Sequence, residues 1–253
     1  MSGDTSNSKL EIFVKGVINF LQLIGNGISA CCDWYVKHAD TIEQYIQAFS
    51  NLAFWNAAVD ELVKCQIIFT DDLSDELISE INTADNVDAV VESYYFGDSG
   101  NRVNEIISRC QRYLLSTSYS ALFSQIQTSY ETQHYHLACI GMFAILDGVF
   151  SDVSGNARTK TSTRFEAIET KITERLELNE LDRRTICICK TMSSFEQTIF
   201  KDNYSFDDEP TGLNRHWVMH GRTRREYSRY DFLKVLLWLD AIAFLEGKLA
   251  ENV

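Results

Sequence analysis

Arg215 and His220 are the residues of this chain whose types and spacing point most directly to chemistry. They sit in the run Asn214-Arg215-His216-Trp217-Val218-Met219-His220-Gly221, within about two helical turns and just ahead of a long apolar segment. A guanidinium is a permanent cation whose planar donors suit a phosphate, whereas an imidazole titrates near neutrality. Together they can hold a scissile phosphate and take a proton from a ribose 2′-OH. His216 fills the polar position after the arginine and, like Asn214, is suited to orienting a neighbour. The competing structural reading is that Arg215 and His216 cap a helix while His220 packs on Trp217.

Charge distribution bears on the same stretch. The chain carries −13 overall, which by itself disfavours nucleic acid. Residues 211–234 nevertheless hold six cations against two carboxylates, a local +4, so the remainder carries −17. Arg222, Arg224, Arg225 and Arg229 form the core of this basic island. They either track phosphates or pair with acidic helices elsewhere.

The elements that must position these residues read as helices. With one proline and twelve glycines in 253 residues, the chain is poor in the residues that hairpins and bulges need. Apolar residues recur at three- and four-residue intervals over about 9–31, 39–67, 74–95, 102–128, 131–151, 163–178, 181–200 and 228–250. Asp40-Thr41-Ile42-Glu43 reads as an N-cap for the second and Thr70-Asp71-Asp72 as the start of the third. Gly97-Asp98-Ser99-Gly100-Asn101 is the clearest break, and it suggests a helical N-terminal region, 1–100, followed by a helical domain, 101–253. The expected class is all-α.

Within the segment from 131, His136 and Asp147 fall on one apolar face, about 20° out of phase. A carboxylate on such a face needs a partner. The eleven intervening positions span about 16 Å of helix, so His136 cannot share a small site with Asp147 and reads as a bystander. His38 and His134 read as surface residues.

The Arg-x4-His run, with a polar residue after the arginine and placed before the last of four helices, resembles the signature of the HEPN superfamily. The resemblance covers roughly residues 115–250 and implies a four-helix HEPN-like bundle. It also implies a metal-independent endoribonuclease with Arg215 and His220 as catalytic residues, supported by Asn214, His216 and Asp147. His220 would deprotonate the attacking 2′-OH, and Arg215 would stabilise the phosphorane, leaving a 2′,3′-cyclic phosphate. A second His220 from a partner copy would protonate the leaving oxygen. The alternative is a catalytically idle HEPN module that binds RNA or a nucleotide, or mediates dimerisation. A third reading places function on the acidic N-terminal part of a helical partner protein. Some HEPN toxins carry a modifiable tyrosine two positions after the histidine. Here that position is Arg222, which puts such regulation in doubt.

The resemblance further implies a homodimer, an RNA substrate, and a bacterial toxin or antiphage setting with an antitoxin or defence partner. The segment 228–250, apolar on nearly every side, must be covered all round, one side by its own bundle and the other by a second subunit or the N-terminal helices. No glycine-rich phosphate loop, metal-binding helix motif or dinucleotide fingerprint occurs, so no cofactor and no metal is expected. The seven cysteines read as reduced, buried thiols of a cytoplasmic protein. No secretion signal is read at the N-terminus, and polar Asn19, Gln22 and Asn26 make the apolar stretch 16–32 an amphipathic core helix rather than a membrane span.

Overall fold

Every regular element among the described residues is an α-helix, as the scarcity of turn-forming residues predicts. The computed structural model describes residues 53–155, 160–175, 183–196, 198–201 and 207–251. The chain separates into two compact units, Met1–Leu52 and Ala53–Val253, and everything described lies in the second. The expected helix at 9–31, the start of that at 39–67, the cap at Asp40, His38, Cys31 and Cys32 lie outside the described residues. In order the helices are α1 (53–64), α2 (Asp75–Thr83), α3 (Val87–Phe96), α4 (Asn101–Leu114), α5 (Ser120–Glu131), α6 (Tyr135–Ser154), α7 (Thr161–Arg175), α8 (Arg183–Phe195), α9 (Arg215–Met219) and α10 (Arg229–Glu251).

Two segments that read as continuous helices are each two. The segment 74–95 breaks because Asn86 caps α3, its side chain accepting from Ala89 N at 3.1 Å. The cap of α2 is Ser74, not the Thr70-Asp71-Asp72 run. Thr70 instead bonds Asp72 Oδ1 and the Tyr95 phenol inside the fold. The segment 102–128 breaks at Thr117, whose hydroxyl donates to Leu114 O and accepts from Tyr119 N. Such local bonds offer the backbone an alternative to the helical ladder. Apolar periodicity runs through both breaks and so conceals them.

Helix α10 is the axis of the bundle. Ser228 and Asp231 bond reciprocally at its start, a capping box. Its apolar residues are covered on all sides by α4, α6 and α7 of the same chain. Leu237 is 0% exposed. The apolar circumference therefore reports a central core helix, with Phe244 only partly buried. Helix α6 is, among the described residues, the one helix long and apolar enough to cross a membrane, and it packs against α5, α7, α9 and α10.

No compact units separate near Gly97, where the sequence suggests a boundary. Arg109 of α4 holds Asp240 of α10 through two bonds of 2.8 and 2.7 Å and lies 3.8 Å from Asp72. Lys234 bonds Asp88 and Arg229 bonds Glu92. Residues from Trp55 to Leu249 share one apolar core.

Candidate active site

Helix α9 is only five residues long, too short to be stable by its own hydrogen bonds, so its placement depends on its surroundings. Asn214, 1% exposed, supplies most of it. Its carbonyl oxygen accepts from Trp217 N at 3.1 Å, capping α9. Its amide nitrogen reaches the carbonyls of Thr198, Ile199 and Lys201 at 2.9, 3.4 and 3.2 Å. Arg215 N adds a bond to Ile199 O at 2.7 Å. Trp217 and Val218 bury the inner side of α9, which packs on α6.

The other end closes on Gly221. Its N–H donates to Val218 O and that of Arg222 to Trp217 O, with Gly221 at φ +62°. This is a Schellman termination, which a left-handed glycine permits without strain. Upstream, Gln66 clamps the backbone of Leu213, donating to its carbonyl and accepting from its N–H. A Cβ at Gly212 would collide with that amide.

Two clusters result. In the first, Asp147 stands between two guanidiniums: Arg215 Nη2 is 2.7 Å from Oδ2, and Arg164 Nη1 is 3.1 Å from Oδ1 and 3.2 Å from the Asp147 carbonyl. Arg215 of the 214–221 run thus meets Asp147. Side-chain exposures of 21% for Arg215 and 33% for Asp147 leave an edge open to solvent. Two guanidiniums thus converge on one carboxylate at the edge of α9. In the second cluster, the rings of His216 and His220 lie 4.4 Å apart, edge to face, with His220 exposed. Residues five apart on a helix point about 140° from each other. Arg215 and His220 therefore face different sides of α9, and a strand of nucleic acid would have to cross its edge to meet both.

The basic island divides. Arg225 is held by Asp231 at 2.8 Å and lies over the Tyr227 ring, and Arg229 is held by Glu92 at 3.2 Å over Phe96. These two pair with acidic positions on helices. Arg222 and Arg224 are exposed, with the Arg224 backbone N–H on the Glu209 carboxylate. His136 stacks on Tyr227 at 4.5 Å, away from Asp147. Exposed His134 bonds Thr132.

Arg164 and Gln66 escape sequence reasoning. Arg164 opens an ordinary amphipathic helix, and Gln66 lies 147 residues from the backbone it clamps; no local pattern marks either. Among the described residues no three His, Cys, Asp or Glu side chains come together as a metal requires. Burial pushes the Cys110 and Cys139 thiols up, Cys65 up to about 11 and Cys189 up to about 12, so none is poised as a thiolate. No protein-family model, no curated protein and no solved structure matches the chain.

Proposed function

We propose that the chain is an endoribonuclease that cuts RNA without a metal, through 2′-OH attack, and leaves a 2′,3′-cyclic phosphate. The observation that carries this reading is the Arg215–Asp147–Arg164 cluster beside the His216–His220 pair, one on each side of a five-residue helix. Asp147 fixes the orientation of Arg215, whose guanidinium, on a side chain 21% exposed, is the cation that addresses the phosphate on this reading. His220 takes the 2′-OH proton. In-line displacement needs an acid on the opposite side, and His216 stands on the same side as His220. On the HEPN resemblance the acid is His220 of a second copy, and the active form is a homodimer; the exposed edge of α9, where His216, Met219 and His220 face solvent to different degrees, is where the copies would meet. A cytoplasmic toxin or antiphage effector, held in check by an antitoxin or defence partner, is the setting implied by the HEPN resemblance.

The test is incubation of the purified protein with total RNA in excess EDTA. Fragments ending in cyclic phosphate are expected, lost in His220→Ala and in Arg215→Lys, whose ammonium lacks the planar fork. Cleavage that requires added magnesium, or that survives the loss of His220, rejects the mechanism. Sedimentation checks the assembly: Met219→Glu is expected to yield folded, inactive monomers.

A second reading, an RNA-binding HEPN module without cleavage, is favoured by the carboxylate already on Arg215 and by the pairing of Arg225 and Arg229 within the fold. Under that reading RNA binds and no cyclic-phosphate ends appear.

A further inference from the structure

Three aromatic rings, Phe96, Tyr130 and Tyr135, line a recess of about 410 Å³ where α3 and α5 end and α4, α6 and α10 begin. That volume is in the range of small-ligand pockets. The walls are braced: Tyr130 stacks on Phe232 at 4.5 Å and 24°, and Tyr135 stands 5.9 Å from it, tilted by 58°. The left-handed residues Ser99, Gly100 and Gln133 turn the chain sharply at the rim and leave the hollow between them. The amides of Asn104 and Gln133 and the Tyr135 phenol border it and, among the described residues, have no side-chain partner.

The chemistry of the lining narrows the ligand. An aliphatic group would make no use of the rim amides of Asn104 and Gln133, which carry both donors and acceptors. A simple anion would meet Glu131 and the nearby Glu92, while a cation would meet the Arg229 guanidinium already lying 4.3 Å over Phe96. A neutral planar heterocycle with donors and acceptors on its edge suits all of these groups, since its face stacks on tyrosine and its edge pairs with amides. We propose that this recess binds a nucleobase, face against Tyr135 and edge toward Asn104 and Gln133. Tyr135 and Asp147 are twelve residues apart on α6, about 18 Å, so the recess is separate from the Arg215 cluster. The assignment goes beyond the cleavage reading, because binding here needs neither Arg215 nor His220.

The experiment is calorimetric titration of full-length His220→Ala protein, which keeps RNA intact, with each of the four ribonucleoside monophosphates and with a short single-stranded RNA. Binding of the monophosphates assigns the recess to free nucleotides. Binding of RNA alone assigns it to a base within a strand. In either case Tyr135→Ala is expected to weaken binding about 5- to 150-fold, the effect of losing one stacked base, while Tyr135→Phe keeps the affinity. Gln133→Gly, which the left-handed backbone accepts, removes the amide without touching the core and is expected to change the preference among bases. The proposal is overturned if no base-containing ligand binds, or if binding is unchanged in both Tyr135→Ala and Gln133→Gly at unaltered thermal midpoints. Absence of RNA cleavage by the unsubstituted protein, with base binding retained, would sink the ribonuclease reading and leave this one standing.

Discussion

Arg215 and Arg164 share one carboxylate, the first at 2.7 Å from Asp147 Oδ2 and the second at 3.1 Å from Oδ1. The three residues come from α9, α7 and α6, so a single acidic side chain registers three helices at the candidate site. Arg164, with a side chain 9% exposed, is the more deeply buried of the two cations, and Asp147 compensates part of its charge.

Replacing that carboxylate is accordingly expected to act on stability and function together. Asp147→Asn is expected to cost about 1–3 kcal/mol, below the cost of breaking a fully buried pair because a third of Asp147 remains in solvent. On the ribonuclease reading, kcat falls at least about tenfold as Arg215 loses its orientation. Chemical denaturation and single-turnover kinetics measure the two effects. A rise in RNA affinity without cleavage would mean instead that Asp147 sequesters Arg215.

Asn214 offers an unusual sign test. In an isolated helix aspartate caps as well as asparagine. Here the amide nitrogen points at three carbonyl oxygens, so Asn214→Asp removes a donor and places a carboxylate against them. It is expected to destabilise at least as much as Asn214→Ala, itself about 2–4 kcal/mol from the lost cap and stranded carbonyls. Unfolding midpoints of the two variants decide it, and a milder effect of aspartate would contradict the geometry.

The arginines of the basic island are expected to separate by role. Arg222 and Arg224, exposed, set the salt dependence: their double replacement by alanine lowers the slope of log K against log salt by about 0.7 per residue for single-stranded RNA. Arg225 and Arg229 are tied to Asp231 and Glu92, so their replacement lowers the thermal midpoint and leaves the slope nearly unchanged. Binding isotherms at several salt concentrations, with melting curves, distinguish the pairs.

Alkali is expected to unfold the protein early. Burial pushes Tyr227 up to about 12 and raises Tyr95, Tyr113 and Tyr230 as well, alongside the thiols of Cys65 and Cys189. In the unfolded chain these groups ionise near about 10 and about 8.5. Because the folded values are raised, the unfolded chain releases protons first, so stability is full below about pH 8.5 and declines as pH climbs toward about 12. Thermal midpoints recorded across that span test the sign; a flat profile would refute it.

The helical class was legible because it rests on composition and on periodicity, which burial enforces residue by residue. So was the need of Asp147 for a partner, since a carboxylate on an apolar face must be compensated; that Arg215 of the 214–221 run meets it is what the HEPN resemblance implied. The breaks at Thr117 and Asn86 were concealed because the apolar pattern passes through them while side-chain bonds interrupt the backbone. The surroundings of α10 were left open for a related reason: an apolar circumference reveals that a helix is covered but not by what, and α4, α6 and α7 pack against it. Arg164 and Gln66 were invisible because their partners are fixed by tertiary packing at separations of 17 and 147 residues.

The stitching of residues 53–100 onto α4 and α10 also bears on truncation. Gln66 grips the approach to α9, Arg109 spans Asp72 and Asp240, and Asp88 and Glu92 secure the start of α10. A cassette cut at Gly100 would leave Lys234 and Arg229 without their acids, Leu213 without its clamp, and one flank of the bundle stripped. The helices around the Arg-His run therefore lean on α1–α3 for part of their packing, and a stretch beginning at Gly100 is expected to fold less stably than one that includes them.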